Sequence, residues 1–192
     1  MTDFFALFAQ PRQPWLEPNI LKEKHHELTR RGHPDVRGKD VSGKFEEINE
    51  AYRILAEPKL RIQHLLQLEG KASPTKDRSI PSDLQELFLQ IGTLCQTSQR
   101  VFTKIGDDGS ALARSLAKSE LLQLDRQTGQ LLEQLSHLYD DCLAELRGLN
   151  KIWNKKQEEA VTQLERLHDR MAYLSRWIAQ LKEMELQFTL RG

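Results

Sequence analysis

Three groups of side chains in this sequence could do chemistry: His33-Pro34-Asp35, the thiols of Cys95 and Cys142, and the histidines His25, His26 and His64. A zinc or iron–sulfur centre needs several thiolates or imidazoles converging on one point. Cys95 and Cys142 stand 47 residues apart and belong to no Cys-x-x-Cys pair. The histidines show no ligand spacing with a thiol or carboxylate, so no metal site and no cofactor is expected. Both thiols fall on apolar helical faces and read as buried and reduced, and His25, His26, His33 and His64 read as surface or loop residues. Covalent or acid–base catalysis fares no better. There is no glycine-rich phosphate loop and no nucleophile with a recognisable base, and the pairs Glu46-Glu47 and Asp140-Asp141 are adjacent, so their members point to different helix faces. An enzyme is therefore not expected.

What remains is the tripeptide. It would arise by chance in a chain this long about 1% of the time from average residue usage, so its flanks must carry the argument. Upstream, Ile20, Leu21, Lys24, Leu28 and Arg31 recur at three- and four-residue steps, which predicts a helix from about Pro18 to Arg31 with Pro18 in its first turn. Its other faces carry Lys22, His25, His26, Arg30 and Arg31. The four cations Lys22, Lys24, Arg30 and Arg31 stand against only Glu23 and Glu27, which makes a basic strip. Gly32 and Pro34 suffice to stop that helix, and Asp35 could fold back as an Asx turn. A plain helix stop explains the turn but not His33. Downstream, a polar loop from Val36 to Gly43 leads to a second helix, from about Gly43 to Glu57, with Phe45, Ile48, Ala51, Tyr52 and Leu55 on one face. A third segment, Lys59 to Glu69, follows Pro58 and ends at Gly70.

Residues 3 to 70 resemble a J domain, and among J proteins the HscB type of iron–sulfur co-chaperone. The marks are Asp3-Phe4-Phe5-Ala6-Leu7-Phe8, the tripeptide, Ile48-Asn49-Glu50-Ala51-Tyr52 with Leu55 and Pro58, and Arg61 followed by Leu65-Leu66-Gln67-Leu68-Glu69-Gly70. One departure is Val36, where the family often has a cation; here the charge arrives at Arg37. The resemblance implies a helical hairpin with the His-Pro-Asp loop at its tip. It implies a partner, the ATPase domain of a DnaK-type heat-shock chaperone, whose hydrolysis is stimulated without any catalytic group from this chain. In that frame Asp35 would accept charge-assisted hydrogen bonds from a chaperone arginine, Pro34 would stiffen the loop and His33 would fix its packing. Lys22, Lys24, Arg30 and Arg31 would face an acidic patch. The alternative for these basic residues is a solvated helix face.

Composition agrees with a helix-rich chain. Of 192 residues 39% are hydrophobic and 29% charged, with 28 Lys and Arg against 28 Asp and Glu, a balance that argues against nucleic-acid binding. The longest apolar run near the N-terminus, Phe4 to Ala9, is far short of a secretory or membrane segment, so no membrane association and a cytoplasmic location are expected.

Residues 71–80 read as a linker between a domain at 1–70 and a helical bundle at 81–192. Pro81 opens a helix with Leu84, Leu87, Phe88, Ile91, Leu94, Cys95, Val101, Phe102 and Ile105 at mostly helical spacing, broken at Gly106-Asp107-Asp108-Gly109. A long stripe follows from Ala111 to about Leu146, clearest at Leu131, Leu135, Leu138, Cys142 and Leu146, with the reversal expected at Gly148 and Asn150. The last helix carries Val161, Leu164, Leu167, Met171, Leu174, Ile178, Leu181 and Phe188 at near-heptad spacing. It should pair with its predecessor as an antiparallel coiled-coil-like hairpin, an arm about 50 Å long. The expected fold is thus all-α, a J domain followed by an elongated three-helix bundle.

The HscB resemblance further implies that this bundle binds an iron–sulfur scaffold protein through Phe88 and Leu89 on its first helix and Tyr173 on its last. Gly92, Thr93 and Gln96 stand where that family places acids. As ordinary core these three residues would be covered; as a client site part of the group must be exposed as a contiguous apolar patch. Two functions follow. One is an adaptor coupling a DnaK-type chaperone to a scaffold client. The other is a J protein with a different client, its coiled coil serving docking or self-association.

Overall fold

The computed structural model describes residues 2–31, 42–71, 79–106, 111–153 and 157–191. The chain is all-α, with no strand among the described residues. Contacts divide it into two units: Met1–Arg78 with Leu143–His168, and Ser79–Cys142 with Asp169–Gly192. Residues 143–153 and 157–168 thus cluster with the N-terminal helices.

In the first unit, α1 is Phe4–Leu7, α2 is Pro18–Arg31, α3 is Ser42–Ala56 and α4 is Pro58–Leu68. Asp3 caps α1, its Oδ1 accepting from the amides of Phe5 and Ala6 at 3.0 and 3.2 Å. The start and stop of α4 follow its sequence. Pro58 occupies the first turn, and Gly70 at φ +69° closes a Schellman turn in which its amide reaches Gln67 O at 3.1 Å and that of Lys71 reaches Leu66 O at 3.0 Å. Ile48, Ala51 and Leu55 form the buried face of α3, as their spacing predicts, against Phe5, Phe8, Leu21, Ile62, Leu65 and Leu66.

Arg61 and His64 are polar members of this core. Arg61 is 2% exposed; its Nε donates to Pro14 O at 2.9 Å and its Nη1 to Leu55 O, so one guanidinium ties the segment before α2 to the end of α3. His64 is 4% exposed, under α1. The expectation of a surface histidine is corrected there: α1 covers the face of α4 on which His64 lies. The segment before α2 is also held by Asn150 and Arg147. The amide of Trp15 donates to Asn150 Oδ1 at 2.8 Å, and Trp15 O accepts from Asn150 Nδ2 at 2.9 Å. Arg147 lies over the Trp15 ring at 4.5 Å.

In the second unit a 3-10 turn, Ser82–Leu84, leads into α5, Gln85–Gly106. The two long helices, α6 (Ala111–Trp153) and α7 (Gln157–Arg191), contribute to both units. The chain does not reverse at Gly148 and Asn150. α6 continues to Trp153 because Leu146, Leu149 and Trp153 extend its buried stripe, and one glycine costs a helix only about 1 kcal/mol. The 43 residues of α6 correspond to about 65 Å at 1.5 Å each. The buried registers also differ from expectation. In α6, Leu132 rather than Leu131 joins Leu135 and Cys142, and in α7 Trp177 rather than Ile178 continues Met171 and Leu174 toward Leu181, Met184 and Phe188. Cys142 is buried; Cys95 is only half-buried, with Gln180 Nε2 at 3.1 Å from its sulfur.

Candidate functional site

His33, Pro34, Asp35 and Arg37 lie outside the described residues. The helix that leads to them is described, and its packing determines which cations face outward. Leu21 is buried. His25 stacks on Tyr52 of α3 at 4.2 Å, and its Nε2 lies 2.9 Å from Asn49 Oδ1. With that face of α2 turned inward, Lys22, His26 and Arg30, spaced four apart, share an exposed face.

The remaining cations are engaged within the helix. Lys24 and Arg31 both reach Glu27 at 2.8 Å. The hydrogen bond from Lys24, then the charge of Arg31, holds the Glu27 carboxyl below its ordinary value. Among the described residues Lys22 and Arg30 enter no ion pair. The strip read from sequence is therefore two different things: an edge on which two cations share one carboxylate, and an exposed face whose cations, Lys22 and Arg30, form no ion pair among the described residues.

The second unit presents the other group. Phe88 is 46% and Leu89 66% exposed, while Tyr173 is half-buried. Phe88 and Tyr173 meet at Trp177, with ring centroids 6.3 and 5.5 Å from it, and Arg176 lies over Tyr173 at 4.9 Å. Leu89 points to another side, onto a groove with Thr93, Leu94, Leu124 and Leu131. Trp177 was not singled out by sequence reasoning. The apolar spacing leaves the position open, because the step from Leu174 to Leu181 can be bridged at 177 or 178, and packing places Trp177 inside. Thr93 and Gln96 are exposed and uncharged, and the hydroxyl of Thr93 is turned back onto Leu89 O at 3.0 Å.

No three of His, Cys, Asp and Glu converge as a metal site would require among the described residues. No described helix is long and apolar enough to cross a membrane.

No protein-family model matches the chain. It is 38% identical over 60 residues, 31% of its length, to chaperone protein DnaJ 2 of Thermus thermophilus, and 35% identical over 75 residues, 35% of its length, to the co-chaperone protein HscB homolog of Aromatoleum aromaticum. These stretches span only 21% and 42% of the two relatives. Among solved structures, chaperone HscB from Vibrio cholerae superposes with a TM-score of 0.54 at 18% identity, covering 97% of this chain and 99% of that one. The chain is homologous to J-domain proteins of the DnaJ and HscB types, and its fold is that of HscB.

Proposed function

We propose that this chain is a co-chaperone which stimulates ATP hydrolysis by a DnaK-type heat-shock chaperone in the cytoplasm and presents to it a client, an iron–sulfur scaffold protein. The observation that carries the reading is the exposed cationic face of Lys22 and Arg30 on the helix that precedes His33-Pro34-Asp35 in the sequence, in a chain homologous to J-domain proteins. Asp35 accepts charge-assisted hydrogen bonds from a chaperone arginine, Pro34 keeps the loop stiff, His33 fixes its packing and Arg37 supplies the nearest following cation. Lys22 and Arg30, flanked by Lys24 and Arg31, meet an acidic patch on the ATPase domain. The chain contributes no catalytic group.

The client reading draws its support from the exposure of Phe88 and Leu89 and from the joining of Phe88 to Tyr173 through Trp177. Client and trigger on one chain raise the client's effective concentration at the chaperone, so capture is coupled to hydrolysis. A second reading, a J protein whose helical bundle serves docking or self-association, is favoured by Leu122, Leu186 and Leu190, which are 63%, 54% and 76% exposed.

The test uses two variants of the full chain. Asp35→Asn keeps wild-type helical circular dichroism and scaffold capture but loses stimulation of the chaperone ATPase. Phe88→Ser with Leu89→Ser keeps basal stimulation and loses capture. Wild-type stimulation by Asp35→Asn rejects the trigger, and a doubly substituted chain that still captures scaffold moves the assignment to the second reading.

A further inference from the structure

α1 is four residues long, too short to persist on its own hydrogen bonds. Asp3 takes the amides of Phe5 and Ala6. The Phe4 amide, which the cap leaves over, donates to Nε2 of His64 on α4 at 3.2 Å. The imidazole also stacks on the rings of Phe4 and Phe5, at 4.8 and 5.8 Å between centroids. That hydrogen bond needs a lone pair on Nε2, hence a neutral ring with its proton on Nδ1. Protonation turns the acceptor into a donor, strands the Phe4 amide and puts a charge on a buried ring, and the lost hydrogen bond and the desolvation both disfavour the docked helix.

We propose that His64 is an acid-sensitive latch: neutral, it holds α1 onto the first unit; protonated, it releases the helix. The charged groups that act on the ring from the surrounding elements are Asp3, at the head of α1, and Arg12, in the segment that follows. These two are ion-paired at 2.7 Å, so an imidazolium would have to share Asp3 with Arg12. Burial pushes the His64 proton affinity below the ordinary histidine value, with Asp3 opposing and Arg12 adding to the shift. The docked state therefore binds fewer protons than the undocked one. Docking is at full strength above about pH 6.5 and is lost as pH falls below that, toward the lowered value. Phe8 stacks on Tyr52 at 6.5 Å and Tyr52 on His25, so release of α1 reaches the helix that carries Lys22 and Arg30.

Amide hydrogen exchange of residues 4–8, corrected for intrinsic exchange and followed between pH 7.5 and 5.5, reads the latch. Opening of α1 rises up to about tenfold across that range for one linked proton. His64→Gln, whose amide oxygen can accept the same bond without titrating, flattens the response, whereas His25→Gln leaves it. Equal opening at both pH values in the wild type, or an undiminished acid response in His64→Gln, overturns the proposal. If His64→Gln does not fold, the titration of the His64 Cε1–H resonance decides. A midpoint below 6.5 that tracks α1 opening supports the latch, and one at or above 6.5 sinks it.

Discussion

Arg61 shows how a single side chain can do the work of a turn. Its guanidinium satisfies the carbonyls of Pro14 and Leu55 inside the first unit, and its Cζ lies 5.8 Å from the Trp15 ring centroid. Arg61→Met keeps much of the apolar stem but strands both acceptors, at about 1–3 kcal/mol for each buried group left unpaired. Urea unfolding followed by circular dichroism should show a loss of about 2–4 kcal/mol; an unchanged midpoint would mean that water replaces the donors. Asp3 acts similarly on a smaller scale. Burial alone would raise its pKa, but the hydrogen bond from Arg12 and the amides of Ala6 and Phe5 outweigh it and hold the carboxyl below its ordinary value. Its capping contribution is therefore present above about pH 4 and fades as pH falls further.

At the scale of elements, α6 is the most informative. Gly148 is an exposed position within it, and a Cβ added there would meet nothing within 4 Å. A glycine at a reversal resists substitution, whereas a glycine in an exposed helix interior costs about 0.5–1 kcal/mol relative to alanine. Gly148→Ala should accordingly raise stability by about that amount, measured as a higher urea midpoint, and a lowered midpoint would place the reversal back at this residue. Asn150, two residues on, looked like turn chemistry for the same reason. Inside the helix its carboxamide instead serves as both donor and acceptor to the Trp15 backbone. α2 carries a comparable division of labour, with Glu27 shared by Lys24 and Arg31 on one edge and His25 anchoring another, while Lys22 and Arg30 stand exposed and form no ion pair among the described residues.

For the whole molecule, the proposed function makes a prediction in salt. Exposed cations at the rim of an interface act mainly on association rate and are screened within about 10 Å at 0.1 M salt. The concentration of this chain needed for half-maximal stimulation of the chaperone ATPase should rise with salt, while maximal stimulation persists. Lys22→Ala with Arg30→Ala should reproduce the high-salt behaviour at low salt, and Lys24→Ala should do so less, because Lys24 already shares Glu27 with Arg31. A titration insensitive to salt would remove the cationic face from the docking surface.

Much of this was legible in the linear chain because its cues are local. Pro18 and Pro58 start helices, Gly70 ends one, and Ile48, Ala51 and Leu55 declare a face within a few turns. Tertiary structure alone decided that His64 is buried, that Arg61 bridges two segments, that Asn150 reads a backbone 135 residues away, and that Trp177 rather than Ile178 joins Phe88 and Tyr173. The physical reason is common to all four. Periodicity dictates which residues can share a face, but whether a polar group is covered, and by what, depends on partners distant in sequence that only packing brings near.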